Sequence, residues 1–465
     1  MIPKPVANDF GKNVLVIGGG VTGILSAWEL VRMGAKVILV EACHLGSGAS
    51  SRSAACIRAQ FDTISTVKGM IYSINFFENW MDIIENSQYP ICQNGYLFLK
   101  NYTVDVEAVK QQVAVQQKAG LKEVVWLDEA ALSKQFPYLD TVGIVGATWC
   151  PKDGFLFPNI IYQDVSQAAR KLGAKIIQND PVVKAEVSGN KATAVILESG
   201  SRIEADFFIN AANVWAAGIS RLFGGIDLPI TAERRYLYFL RGLKRDSDWG
   251  FKMEDFPSLP MTVTPYGAYC RPDNKQLMIG WLQHPNPVAP TLDNQDDIEP
   301  GYGLGFDEYG AAVRKEVTQF LPAVQDMGRL VAVTSGFYNS TPDHNPLFGY
   351  DLNIHNLIHA TGFSGHGLMH SPFSARIVTE LINFSRSRSE LDLAARKAIK
   401  ELEGDDPTNL DEYSRAGSDK YHAMIEKIRL RLRLTSLKYQ ELEDLVSAIG
   451  LPKNKLCTYC WDRTE

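Results

Sequence analysis

An α/β fold joined to an antiparallel sheet is what this sequence predicts, and three features of its 465 residues carry the prediction. A glycine-punctuated strand–helix–strand unit opens the chain, runs of alternating polarity fill its middle, and the composition changes past residue 385. This length exceeds one compact core, so two domains and an appendage are expected. Hydrophobic residues at 45% and charged residues at 22% are ordinary for a globular protein. A net charge of −6 supplies no general field for nucleic acid or an anionic membrane. Seven cysteines, sparse and odd in number, read as a reduced compartment and not a disulfide framework. No apolar run approaches the roughly 20 residues that span a bilayer, and the N-terminal stretch lacks an apolar signal core. The expected location is cytoplasmic.

The front is the most informative part. Val14 to Ile17 is a short apolar run suited to a buried parallel strand, Ile24 to Met33 carries helical periodicity, and Ala35 to Val40 returns as a second strand. Between the first strand and the helix, Gly18, Gly19, Gly20, Val21, Thr22 and Gly23 spell G-x-G-x-x-G. Glycine at 18 permits the tight turn, at 20 it admits a pyrophosphate to the backbone, and at 23 it lets helix and strand pack closely. The helix N-terminus offers free N–H groups to phosphates. Glu41, followed by Ala42, closes the second strand where a carboxylate accepts from ribose hydroxyls. This is a Rossmann unit, and its ligand is a dinucleotide. A second small-residue segment, Gly46 to Ala55 with Ser50, Ser51 and Arg52, favours FAD over NAD, because an extended flavin needs close backbone contact along its ribityl chain.

Four further stretches resemble the D-amino-acid oxidase superfamily of FAD-dependent oxidoreductases. They are VVWLDEAALSKQFPYL from Val124, FFINAANVWAAGI from Phe207, SGFYNSTPDHNPLFG from Ser335 and HATGFSGHGLMHSPFSARIVTELI from His359. Within that superfamily the chain is most similar to sarcosine oxidases and to the β subunits of amine and proline dehydrogenases. The resemblance runs from residue 13 to about 385. It implies a discontinuous FAD-binding domain from residues 1–90, 150–225 and 325–385, and an α+β substrate domain from 91–149 and 226–324. It implies cofactor contacts at Ala211 and Trp215, backbone near the adenine around Val183, and a final helix led by Gly365, His366, Gly367 and Leu368 toward the flavin. Arg52 and Gly336 occupy the positions where relatives attach flavin covalently, so the expected FAD is non-covalent.

Flavin amine oxidation asks the protein for anchors more than for acid–base groups. By resemblance Arg58 holds a substrate carboxylate, although a surface or ion-paired arginine is an equal reading. Met369 stands where a second, lysine anchor is expected, and Tyr338 stands where other relatives carry an arginine. Met278 replaces the lysine that activates oxygen, which leans toward a dehydrogenase. His366 is the single histidine considered for catalysis. The expected activity is oxidation of the C–N bond of a small amino acid or secondary amine, such as sarcosine, glycine, proline or a D-amino acid, to an imine. Two alternatives stay open: a 2-hydroxy-acid or glycerol-3-phosphate dehydrogenase on the same fold, and an electron-transfer or assembly subunit with a partner. Asn213, where the family usually has glycine, keeps the second alive.

The last segments are a polar helix-prone linker, 386–427, and a short α/β tail, 428–465. That tail resembles the C-terminal end of glutamine phosphoribosylpyrophosphate amidotransferases, including a terminal C-x-x-C at Cys457 and Cys460. The pair is a candidate ligand set for an iron–sulfur cluster or zinc, a reversible dithiol, or neither; a full site needs further ligands from this chain or a partner.

Overall fold

The computed structural model describes residues 11–85, 87–282, 286–305 and 308–383. The expected front unit is present as β1 (Asn13–Ile17), α1 (Val21–Arg32) and β2 (Lys36–Val40). Four of the five residues of β1 are buried, as the continuous apolar run required for a strand covered on both faces. Among the described residues this strand is central to a six-stranded sheet, ordered 347–350, 357–361, 207–210, 13–17, 36–40, 175–177. All neighbours pair in parallel except Leu347–Tyr350, which runs antiparallel to Leu357–Thr361. Ile24, Leu25 and Trp28 of α1 join Phe373 and Val378 of the helix Gly367–Asn383 in one core with Val16. Each large side chain so buried contributes about 1.5–3 kcal/mol.

Among the described residues the second half is a nine-stranded sheet of 96–101, 125–128, 144–150, 231–241, 261–263, 268–273, 276–281, 286–287 and 330–340. Its pairs are antiparallel, as the alternating runs predict, except for Tyr96–Asn101 beside Met261–Val263. Two segments differ from expectation. Residues 175–187 are two strands, Lys175–Ile177 and Val182–Ser188, in different sheets. Asn179 takes a left-handed φ of 58° and Pro181 has no N–H to donate, so the chain turns there. Residues 330–340, expected with the FAD-binding half, run beside Thr231–Arg241 in the larger sheet. The linker, the tail and the pair Cys457 and Cys460 lie outside the described residues. No helix among those described is long and apolar enough to cross a membrane.

Candidate functional site

A cavity opens at the carboxyl ends of the parallel strands and continues under the larger sheet. Its floor is the glycine motif. Gly18 holds φ +109°, and a Cβ there would stand 2.5 Å from the Ala211 carbonyl oxygen. At Gly23 a Cβ would fall 1.9 Å from the Gly18 carbonyl oxygen, so only glycine lets α1 approach its strand this closely. Glu41 does more than face a ribose. One carboxylate oxygen accepts from the Gly19 N–H at 2.6 Å and the other from the Cys43 N–H at 2.8 Å, which ties both flanking loops together. Burial raises its pKa against those hydrogen bonds. Ser50 Oγ accepts from the Val21 N–H at 3.1 Å, and thus places the second small-residue segment across the helix N-terminus.

The cavity is lined by Gly18, Gly20, Val21, Thr22, Glu41 and Ala42 from the front unit, and by Ser50 and Arg52 from the second segment. Ala211, Trp215, Tyr338, Gly365, Gly367 and Leu368 line it further along. Gly19, Gly23, Ser51, Arg58, Val183, His366 and Met369 stand outside the lining, although Pro181 and Val182 bring the neighbourhood of Val183 to the wall. Three lining donors have no acceptor among the described residues: Asn213 Nδ2, Trp215 Nε1 and Arg235 Nε. Buried donors left unpaired are costly, and a phosphate-bearing dinucleotide or a carboxylate is the kind of acceptor they lack. Glycine cradle, helix N-terminus and unpaired donors together fit FAD. Asn213 also loses its anomaly, since it sits at φ +51°, a conformation that glycine or asparagine adopts readily.

Beyond the glycine cradle the walls become apolar. Leu237, Tyr269 and Met278 are buried in one cluster with Tyr96, Met261 and Val263. Arg235 and Tyr338 meet here, with the guanidinium carbon 5.3 Å from the Tyr338 ring centre. Arg235 also donates to Glu233 at 2.6 Å and to the Leu282 carbonyl at 3.1 Å. Tyr338 lies flat on the turn after strand 357–361, because Gly365 (φ +87°) has no Cβ, and one would fall 2.2 Å from the ring. Sequence reasoning missed Arg235. The alternating run RYLYFL marked its strand but could not say whether Arg234 or Arg235 faced the ligand.

Arg58 is engaged elsewhere. Its guanidinium donates to the Gln60 carbonyl, lies 3.8 Å from the Phe61 ring centre and reaches His366 Nε2 at 3.4 Å. Loss of hydration, with Arg58 beside it, holds the His366 imidazole well below its usual pKa and therefore neutral at pH 7. Behind Arg58, the fully buried Asp153 accepts from the Ala59 N–H at 2.8 Å and Gln60 Nε2 at 3.0 Å. Burial lifts its carboxyl to about 7. The unfolded carboxyl releases its proton near pH 4 and the folded one near 7, so stability falls as pH rises through that window. Asp153→Asn removes this slope. In urea unfolding at pH 5 and pH 7.5, the wild type is expected to lose on the order of 3 kcal/mol relative to the variant. Parallel behaviour of the two proteins would show that Asp153 is ionised throughout.

Among the described residues, no three His, Cys, Asp or Glu side chains group as metal ligands. Cys43, Cys56, Cys92, Cys150 and Cys270 are free, and burial pushes Cys56 up to about 11 and Cys270 to about 12.

Comparison with known proteins gives a consistent picture. The Xenopus laevis FAD-dependent oxidoreductase domain-containing protein 1 is 28% identical over 416 residues, covering 80% of this chain and 79% of that one. L-Proline dehydrogenase from P. horikoshii has a structure that superposes with a TM-score of 0.68 at 28% identity, over 80% of this chain and 93% of the other. Human mitochondrial sarcosine dehydrogenase is 22% identical over 365 residues, which are 77% of this chain but 38% of that longer protein. The family model described as FAD dependent oxidoreductase matches residues 13–381, and with that match over most of its length the chain belongs to the DAO family of FAD-dependent oxidoreductases.

Proposed function

We propose that the protein oxidises the C–N bond of a small amino acid or secondary amine to an imine, as a dehydrogenase with non-covalent FAD. The observation that carries this reading is the part of the cavity where Arg235 and Tyr338 stand together beside the buried Leu237 and Phe337. Such a site suits a small molecule with a single anionic group. Bound FAD supplies the acceptor for the hydride that leaves the α-carbon while the nitrogen lone pair forms the C=N bond. This chain's residues do the rest. Arg235 and Tyr338 hold the carboxylate, and the apolar wall excludes water from the new imine. Apolar surroundings favour the neutral amine over the ammonium, which is the form that yields a hydride. Arg52 and Gly336 support non-covalent binding, since neither offers a nucleophile. They are in contact, because a Cβ at Gly336 would lie 2.9 Å from Arg52 Cβ. Met278, fully buried in the apolar cluster, supports the dehydrogenase reading by placing no cation there.

The test is an anaerobic visible spectrum before and after addition of sarcosine, L-proline, glycine or D-alanine. Bleaching of the flavin bands by one of these amines is the expected result. Bleaching by a 2-hydroxy acid or glycerol 3-phosphate alone would overturn the amine assignment. A flavin that no substrate reduces would point instead to a subunit that acts with a partner.

A further inference from the structure

A second cavity lies toward the other end of the two long paired strands, Thr231–Arg241 and Leu330–Ser340. Arg235 and Gly336 line the first cavity, whereas Arg241 and Leu330 line this one, six residues further along each strand and so about 20 Å away. The helix Tyr309–Phe320 and the short helix Pro322–Asp326 complete its walls. Four cations meet here, Arg241, Arg314, Lys315 and Arg329, and Asp140 is the one carboxylate among the described lining residues. The fold fixes where they stand. The Arg241 N–H donates to the Arg329 carbonyl at 3.2 Å and the Gly328 N–H donates to the Arg241 carbonyl at 2.8 Å, which sets the two arginines on neighbouring strands. A Cβ at Gly328 would stand 2.7 Å from Arg241 Cβ, so this glycine makes room for that side chain. Arg314 donates through one Nη to the carbonyls of Val324 at 3.2 Å and Met327 at 3.3 Å, and burial lowers its pKa. None of the four cations makes an ion pair with a described residue.

We propose that this cavity binds a phosphate-bearing small molecule of the nucleoside diphosphate class, separately from the FAD site. Charge carries the inference. Three arginines and a lysine against one carboxylate leave a local surplus of positive charge, in a chain whose net charge is −6. Like charges held side by side by the backbone repel, and an anion between them removes the repulsion. The planar fork of arginine pairs two phosphate oxygens at once, so a multiply charged phosphate engages several of these groups together. Thr318, Gln319 and Gln325 add uncharged hydrogen-bonding groups to the same walls. Trp249 also lines the cavity with half of its surface exposed, and offers an aromatic face to a base. A polyanion without a ring would use the cations and leave the indole untouched. The amine assignment of the first cavity plays no part in this reading.

The test is calorimetric titration of the FAD-saturated holoenzyme with ADP, inorganic pyrophosphate and adenosine, with tryptophan fluorescence read in parallel. Saturation with FAD keeps the probes out of the first cavity. ADP is expected to bind and to quench tryptophan emission, pyrophosphate to bind more weakly without quenching, and adenosine not to bind. Trp249→Phe should abolish the quench while ADP still binds. Arg241→Met and Arg329→Met are each expected to weaken ADP about ten-fold, as loss of one charge-assisted contact allows. Added salt should weaken ADP in the wild type as well. Both arginines are exposed, so the variants should fold, and an unchanged flavin absorption spectrum checks this. Absence of ADP binding at low salt, or ADP binding equal to wild type in both arginine variants, would overturn the site. Pyrophosphate bound as tightly as ADP, with no response from Trp249, would overturn the nucleotide class.

Discussion

Gly23→Val is expected to lower FAD affinity by two orders of magnitude or more while leaving the rest of the fold assembled. The first atom of any side chain at this position would fall 1.9 Å from the Gly18 carbonyl oxygen and 3.4 Å from Val16 Cγ1. The nearest atom is backbone, so it cannot rotate aside. Helix α1 must then back away from β1, which carries its N–H groups away from the phosphates and spoils the close packing beneath them. Overpacking of this kind costs roughly 1–3 kcal/mol in an adaptable core, and a backbone clash lies at or above the upper end. Fluorescence titration of apoprotein with FAD measures the affinity, and far-UV circular dichroism checks the fold. Near-wild-type affinity with an intact fold would mean that the glycine motif does not bind the pyrophosphate.

The second large effect concerns the substrate. Arg235→Met is expected to raise KM for a carboxylate-bearing amine about 100-fold, since a lost charge-assisted pair with a buried anion costs roughly 2–3 kcal/mol. An analogue lacking the carboxylate, pyrrolidine in place of proline, should show the same KM in both proteins. Arg58→Met serves as the counter-experiment. It should leave the ratio of the two KM values unchanged, because that guanidinium is occupied by the Gln60 carbonyl and the Phe61 ring. The reverse result, with Arg58→Met raising KM selectively and Arg235→Met not, would return the carboxylate to Arg58.

These two predictions also mark what could be read from the chain alone. The strand–glycine–helix–strand unit was legible because each of its steps depends on neighbours in sequence: a buried run, a turn that only glycine makes, a helix, an acid. The last helix and its G-F-S-G-H-G turn were legible as a motif, but the φ of +87° at Gly365 and the Tyr338 ring laid on it come from pairing across the fold. Lys175 to Val187 looked like one strand because its apolar pattern continues through Asn179 and Pro181, where the backbone turns. Arg58 was placed by counting from Gly48. Counting cannot see that Asp153, far away in sequence, accepts from the Ala59 N–H and Gln60 Nε2 beside it. Arg235 faces the cavity because Thr231–Arg241 pairs with 330–340 in a register that sets Arg235 opposite Gly336. A slip of one residue would send Arg234 there instead.

That pairing has a mechanical consequence. Residues 336–339 line the cavity while the strand they belong to stays hydrogen-bonded to Thr231–Arg241 along nearly its whole length. The same piece of backbone is therefore both sheet strand and chamber wall. Scissoring of the two halves about a hinge would shear this ladder and deform the chamber together with it. The ladder thus resists any change in the shape of the chamber that would separate residues 336–339 from Thr231–Arg241.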